Sequence, residues 1–283
     1  YTRASALESI LDNQCLWLSR SDPLNDSAEV SYGADRLLEA AAAFGGEHAE
    51  LLSGYIAALG EHLRSIFILS TSIHGDSLTL WNGYSDGDDP VCIEFSPAVL
   101  HSTLLTAYTS VPVGQDTDSY RPLFFSEAFQ QKAGRVLYDP AEQQCYARKA
   151  IEQCLVYLLE PDPTLAKAAP FFVRDVLLTI LMLFKDPSFY HENEYRFCLI
   201  GCEDDPELPL LVKTRACSWK DDGTVPYIEV PLRFDEGLVR SVMSGPRLDN
   251  WACKSERLKE KIDQVGGDSS AVVFRKSAIP LRF

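Results

Sequence analysis

The most informative stretch of the sequence is His191-Glu192-Asn193-Glu194-Tyr195-Arg196-Phe197, where a long helical pattern gives way to an extended apolar run. Alternation along a strand sends Glu192 and Glu194 to the same face. Two like charges held side by side cost free energy unless a cation, a hydrogen-bond donor or a substrate lies between them. The nearest cations in sequence are Lys185, His191 and Arg196. The stretch therefore indicates a ligand site, with a solvated edge strand as the alternative.

Hydrophobic periodicity predicts strands and helices on both sides of this stretch. Strands are expected at 15–19, 65–72, 91–95, 134–138, 195–200, 227–232, 238–244 and 271–274. Helices are expected at 5–11, in two parts of 32–64 that break at Gly45-Gly46, at 97–106, and at 141–159, 163–184 and 249–265. This order predicts an α+β fold, one domain over 1–283, with a central, mostly antiparallel sheet and a helical insertion at 141–185.

Composition and charge limit the class of protein. The chain has 283 residues, of which 46% are hydrophobic, and this is enough for a sizeable core. A net charge of -15 disfavours generic nucleic-acid binding, although a local basic groove could hold a dinucleotide. The longest apolar run, Val176 to Phe184, is too short to span a membrane, so we expect no membrane span.

The eight cysteines form no Cys-x-x-Cys pair, and several lie inside apolar runs, for example Cys92 and Cys198. This usage is typical of reduced core cysteines in a cytoplasmic protein, and neither the cysteines nor the five histidines have the spacing of a metal site. The first residues, Tyr1 to Ser5, carry no charged-then-apolar leader, so we interpret the start as trimmed and expect no secretion signal.

Two further segments have both a structural and a functional interpretation. Asn25 and Asp26 are residues that cap helices and build turns, and the alternative is that they project into a pocket beside Tyr1. Trp81 and Tyr84 are spaced for one helical turn and could stack on a nicotinamide or adenine ring. We expect Trp81 to be a core residue and leave Tyr84 open.

Three separate features, Arg3, Phe67-Ile68-Leu69-Ser70-Thr71-Ser72 and Glu192-Asn193-Glu194, together resemble the Arg, Ser-Thr-Ser and Glu-x-Glu signature of ADP-ribosyltransferases. The resemblance implies an ADP-ribosyltransferase-like fold with NAD as substrate. It assigns phosphate binding to Arg3, the nicotinamide pocket to Ser70 through Ser72, and the nicotinamide ribose to Glu194. Glu192 would orient an acceptor.

The chemistry behind this assignment is consistent, because cleavage of a nicotinamide glycosidic bond builds positive charge on the ribose and a nearby carboxylate stabilises that charge. We therefore expect Glu194 and Glu192 to be catalytic and Tyr1, Ser70 and Tyr84 to form the pocket wall. Arg196 either contributes to the site or forms a structural pair with Glu194. The expected function is transfer of ADP-ribose to an unidentified acceptor, a protein among the candidates, or hydrolysis of NAD. The alternative is a non-catalytic nucleotide-sensing or protein-interaction module of a bacterial defence or toxin system.

A second resemblance covers the chain from end to end. Its motifs are Ile10-Leu11-Asp12-Asn13, Leu16-Trp17-Leu18-Ser19, Leu24 to Glu29, Leu80 to Tyr84, Val91 to Phe95, Val136-Leu137-Tyr138, Lys185 with Phe189, Glu192 to Arg196, Pro226-Tyr227-Ile228 and Val242 to Pro246. With these motifs the chain resembles the bacterial domain of unknown function 2971 family. Phe189 stands where that family often has a tryptophan. The resemblance implies a fold and a set of important positions and supplies no reaction.

Overall fold

The computed structural model describes residues 1–21, 27–84, 89–105, 108–109, 121–122, 129–201, 208–216 and 223–280. The strands are β1 (Thr2–Arg3), β2 (Cys15–Arg20), β3 (Ile66–Ser72), β4 (Pro90–Phe95), β5 (Tyr108–Thr109), β6 (Arg121–Pro122), β7 (Phe129–Arg135), β8 (Glu194–Gly201), β9 (Lys213–Ala216), β10 (Thr224–Pro231), β11 (Val239–Ser244) and β12 (Val273–Lys276). The helices are α1 (Ala4–Asn13), α2 (Ser27–Ala42), α3 (Gly46–His62), α4 (Leu78–Tyr84), α5 (Pro97–Leu105), α6 (Pro140–Leu158), α7 (Pro163–Leu183), α8 (Leu208–Leu211) and α9 (Trp251–Gln264). Short 3-10 helices lie at Leu63–Ser65, Pro187–Glu192 and Ser269–Ala271.

The strands in the described ranges form two larger sheets and one short ribbon. The six-stranded sheet has the order β7-β8-β3-β2-β10-β9, and every neighbouring pair in it is antiparallel. The four-stranded sheet has the order β1-β4-β11-β12 and is antiparallel except between β11 and β12. The α+β class and the mostly antiparallel pairing are therefore confirmed. The expected single central sheet is replaced by two.

The two faces of the six-stranded sheet bury different cores, and alternation along β3 and β8 explains why. Phe67, Phe197 and Leu199 point to one face and pack with residues of α1, α5, α9 and the four-stranded sheet. Ile68 and Ile200 point to the opposite face and pack against α2, α3, α6 and α7. Each of these central strands is apolar on both sides because both sides are covered.

The predicted helical insertion at 141–185 corresponds to α6 and α7, which share the second core with α2 and α3. Asp139 begins α6 by accepting hydrogen bonds from the amides of Ala141 and Glu142, and Pro140 occupies the first helical turn. Pro170 lies inside α7. The helices therefore form a layer over the sheet. The C-terminal end of α7 lies close to the beginning of β8.

The sequence interpretation misplaced the edges of the six-stranded sheet. The strand expected at 134–138 is β7, which ends at Arg135, while Leu137 forms an isolated bridge with Phe184. The four residues of β9 are all exposed, and this strand was not expected at all. Both are edge strands with polar sequences, FQQKAGR and KTRA, and such strands lack the apolar alternation on which the prediction rests.

Candidate functional site

The candidate site lies where β3 and β8 change from apolar to polar side chains. The two strands pair antiparallel, with Ser70 opposite Arg196 and Ser72 opposite Glu194. These four residues continue the rows that begin with Ile66, Ile68, Cys198 and Ile200, so alternation places them on the face that packs against the helices. The Ser-Thr-Ser and Glu-x-Glu segments are therefore direct neighbours.

Four charged side chains form a network that we call the Lys185 cluster: Lys185, Glu192, Glu194 and Arg196. Arg196 donates from Nε and Nη2 to the two carboxylate oxygens of Glu194, at 2.7 and 2.9 Å. The Lys185 ammonium lies 3.2 Å from Glu194 Oε2 and 2.5 Å from Glu192 Oε2. The side chains of Lys185, Glu194 and Arg196 are each no more than 7% exposed. Each carboxylate is thus neutralised by a cation inside the protein.

The cluster is fixed to the helical layer through the end of α7. Arg196 Nη1 donates to the carbonyl of Met182 at 2.9 Å, and the Lys185 ammonium lies 5.0 Å from the centre of the Phe189 ring. The buried Gln143 side chain of α6 donates to the carbonyls of Leu137 and Lys185 at 2.6 and 2.8 Å. Backbone and side chain of Lys185 are therefore both held in place.

Glu192 and Glu194 reach the same cation by a route that differs from simple strand alternation. Glu192 ends a 3-10 helix, which Asp186 begins by accepting a hydrogen bond from the amide of Ser188. Asn193 then adopts a left-handed conformation with φ of 42°, and β8 begins at Glu194. The left-handed residue turns the chain between the two carboxylates. The two carboxylates do converge, but the expected reason, alternation along one strand, is wrong because Glu192 lies before β8.

A polar shell surrounds Glu192 and Asn193. The Tyr84 hydroxyl donates to Glu192 Oε1 at 2.5 Å, and the Ser72 hydroxyl donates to the Glu192 carbonyl at 2.7 Å. The Asn193 side chain is 2.9 Å from the His74 ring at Nε2 and accepts a hydrogen bond from Arg135 at 3.3 Å. Tyr84 is half exposed, so this shell forms the solvent side of the cluster.

Tyr1 joins the site through its neighbours. Its hydroxyl donates to the His74 carbonyl at 2.8 Å and accepts from the Ser77 amide at 2.9 Å. Its ring packs edge-on against Trp81, with the ring centres 4.7 Å apart. Trp81 is buried and donates to Asp76, so its expected place in the core is confirmed. Tyr1 therefore contacts the segment from His74 to Trp81, which leads to Tyr84 at the end of α4.

The electrostatics of the cluster keep Glu194 ionised. Burial alone raises the pKa of Glu194, but the charges and hydrogen bonds of Arg196, together with Lys185 and Ser70, more than offset burial and hold that pKa below its ordinary value. Burial, together with the hydrogen bond to Glu192 and the charge of Glu192, raises the pKa of Tyr84. Burial raises the pKa of Tyr138, whose hydroxyl accepts from the Glu194 amide, to about 12. Both tyrosines are therefore neutral around an ionised carboxylate.

The structure brings together most of the residues expected at the site and separates one. Ser70, Ser72, Tyr84, Glu192, Glu194 and Arg196 belong to the cluster or its shell, whereas Tyr1 contacts that shell only through the backbone carbonyl of His74. Arg3 lies on β1 of the other sheet, opposite Pro90, is exposed, and forms no side-chain hydrogen bond or ion pair with a described residue. Asn25 and Asp26 lie outside the described residues.

Four participating residues were not expected at the site: Lys185, Tyr138, His74 and Asn193. Lys185 was identifiable as a cation close to the glutamates in sequence, and Tyr138 lies in the motif Val136-Leu137-Tyr138. The sequence around His74 carries no comparable signal. Arg196 forms the pair with Glu194 that was one of its two interpretations.

Two other kinds of site are absent from the described ranges. There, no group of three or more His, Cys, Asp or Glu side chains is arranged to hold a metal ion. None of the helices described has the length and apolar character needed to cross a membrane.

The fold and the site together define an α+β protein with mostly antiparallel sheets. Its buried ion-pair cluster lies where the central strands β3 and β8 pair. Residues 80–197 match the model of a family described as a protein of unknown function, DUF2971, so this recognition from the sequence is confirmed over that segment. The matched segment includes Tyr84 and all four residues of the Lys185 cluster. Comparison with curated proteins and comparison with solved structures each find no match.

Proposed function

We propose that this protein binds NAD, or a nucleotide of the same kind, at the Lys185 cluster and transfers its ADP-ribose to an acceptor or to water. The observation that carries the proposal is the pairing of Ser70-Thr71-Ser72 with Glu194-Tyr195-Arg196 on adjacent strands. In the resemblance to ADP-ribosyltransferases, these are the segments that form the nicotinamide pocket and supply the carboxylate. Their adjacency is what such a pocket requires.

In this proposal Glu194 supplies the negative charge that stabilises the ribose as the nicotinamide leaves. The low pKa of Glu194 supports this role, because the side chain has to be ionised at neutral pH. Ligand entry is proposed on the side of Tyr84, an exposed member of the shell, with Glu192 orienting the acceptor. Arg196 and Lys185 then act as positioning residues for the two carboxylates.

A second candidate function is favoured by the same contacts. Both oxygens of Glu194 accept hydrogen bonds from Arg196, and one of them also contacts Lys185. A carboxylate that is compensated in this way presents less charge to a sugar. The second candidate is therefore a non-catalytic module that senses a nucleotide, or binds a protein partner, in a bacterial defence or toxin system. A cytoplasmic location is proposed for either function, and the six unbridged cysteines of the described ranges support it.

The test is to incubate the protein with NAD and measure released nicotinamide, with Glu194→Gln and Glu192→Gln as variants. Glu229→Gln is the matched control, since Glu229 pairs with Lys213 away from the cluster. We expect release by the parent and the control, and a loss of about 100-fold or more with Glu194→Gln. Thermal melting checks that each variant is folded.

The outcomes separate the candidates. Nicotinamide release that survives Glu194→Gln in a folded variant rejects the catalytic assignment. NAD binding by calorimetry without release supports the sensing module. An absence of both binding and release at millimolar NAD rejects the nucleotide site altogether.

A further inference from the structure

A separate cavity lies between two helices of the layer over the six-stranded sheet. Its volume is about 300 Å³. Tyr55, Leu59 and His62 of α3 line one side, and Pro170, Phe171 and Arg174 of α7 line the other. The walls are mainly apolar, with one permanent positive charge. A volume of this size is at the lower end of the range found for small-molecule pockets.

Arg174 lines this cavity and has no acidic partner among the described residues. Acidic residues outnumber basic ones, 41 to 26, and several of the described cations pair with a carboxylate, for example Lys132 and Arg148. Arg174 is only partly exposed, and its guanidinium forms no ion pair with a described residue. Its observed contact is with the face of the Phe171 ring, 5.3 Å from guanidinium carbon to ring centre. The hydrogen-bonding edge of the guanidinium is therefore available to a ligand.

We propose that this cavity binds a small apolar carboxylic acid, aliphatic or aromatic, independently of the nucleotide site. The planar guanidinium of Arg174 matches a carboxylate with two parallel hydrogen bonds. The hydrocarbon body of the acid lies against Tyr55, Leu59 and Phe171. Binding of the acid is then favoured both by burial of its apolar surface and by a charge-assisted pair in a partly dehydrated cavity.

Two other ligand classes fit the cavity less well. A phosphate carries more charge and is strongly hydrated, so one arginine among apolar walls compensates it poorly. A neutral hydrocarbon makes no use of the guanidinium and leaves its donors without an acceptor. The net charge of -15 means that the chain has no general attraction for anions. Binding of an anion therefore depends on its fit to the cavity and to Arg174.

The experiment is titration of the whole chain with 3-phenylpropionate and with octanoate, followed by calorimetry and saturation-transfer NMR. The neutral amide of 3-phenylpropionate is the ligand control. The variants are Arg174→Met, which removes the charge, and Ala58→Trp, which fills the cavity from an exposed position on its rim. Arg148→Met is the matched control, because Arg148 pairs with Glu152 on the surface of α6.

We expect saturable binding of at least one acid with Kd of about 1 mM or tighter. Arg174→Met and the neutral amide should each weaken binding by about tenfold or more, since both remove the charge-assisted pair. Ala58→Trp should abolish binding, and Arg148→Met should leave it unchanged. Because Ala58 is exposed, this variant keeps the test valid if Arg174→Met does not fold.

Three results overturn the proposal. One is the absence of saturable binding of either acid up to about 10 mM. The second is equal binding of the acid and its amide. The third is binding that Ala58→Trp leaves intact. None of these results bears on NAD, which is tested separately at the Lys185 cluster.

Discussion

Replacement of Lys185 by methionine tests whether the Lys185 cluster is held together by its buried ammonium. The substitution keeps a long side chain and removes the charge that separates Glu192 from Glu194. Removal of one partner from a buried ion pair typically costs 3–5 kcal/mol of unfolding free energy, because a charge is left uncompensated. Glu194 keeps Arg196, and Glu192 keeps Tyr84 and is 15% exposed, so we expect the lower end, about 3 kcal/mol.

The matched control is Lys213→Met. Lys213 also lies 2.5 Å from a carboxylate, that of Glu229, but its side chain is 54% exposed. An exposed pair contributes about 0–1 kcal/mol. Urea unfolding of parent and both variants at neutral pH measures the difference. A Lys185→Met cost no larger than that of Lys213→Met would refute the reasoning.

A double variant and a pH series separate charge from packing. Lys185→Met with Glu192→Gln removes a cation and an anion together, and we expect it to recover about 1–2 kcal/mol of the single-variant loss. The deficit of Lys185→Met should also shrink as the pH is lowered towards 4, because protonation then removes the negative charge that the lost ammonium leaves uncompensated. A loss that is independent of pH and of Glu192→Gln would indicate a packing defect instead.

Four further predictions concern the site and its surroundings. The folded-state pKa of Glu194 is depressed, so the contribution of this carboxylate to stability is present above the ordinary glutamate pKa and is lost as the pH falls through the folded value. The unfolding free energy of Glu194→Gln should therefore depend less on acid than that of the parent. Equal pH profiles of the two proteins would contradict this prediction. Asn193→Ala should be about 1 kcal/mol less stable than Asn193→Gly, since both lose the side chain but only alanine is strained at φ of 42°, and equal unfolding midpoints would contradict this. Phe184→Ala should cost about 3–5 kcal/mol in the same unfolding assay because Phe184 is fully buried, and a cost below about 1 kcal/mol would contradict the described core. Cys198, whose pKa burial raises to about 12, should resist a thiol reagent in the native state while exposed Cys145 reacts, and peptide mapping that finds equal labelling would contradict this.

The fold was predictable from the sequence where the residues are buried on a regular period. The central strands β3 and β8 were identified within one residue at each end, because Ile66 to Leu69 and Phe197 to Ile200 are continuous apolar runs. The separation into two sheets was not predictable. Strand partners such as β1 and β4 are joined by backbone hydrogen bonds, and those bonds leave no mark in the sequence of either strand.

The candidate site was predictable to the extent that like charges require compensation. Glu192 and Glu194 pointed to a nearby cation, and the structure supplies Lys185 and Arg196. The contact between the His74 ring and Asn193 could not be anticipated, because it involves the residue that adopts the left-handed turn. A single residue in the left-handed conformation redirects the chain. Asparagine tolerates this conformation but does not require it, so the sequence does not reveal the turn.

The position of the cluster makes the site dependent on the helical layer as a whole. Tyr32 of α2 donates to the Gln143 side chain at 2.6 Å, and Gln143 in turn donates to the carbonyl of Lys185 at 2.8 Å. Arg196 is held from the same layer by the Met182 carbonyl of α7. Each of these bonds is buried or partly buried, and the loss of a partner would leave a polar group without compensation. The carboxylates are therefore positioned by three helices as well as by the strand that carries Glu194, so a shift of α7 against the sheet changes the separation between Lys185 and Arg196 and with it the charge that Glu194 presents.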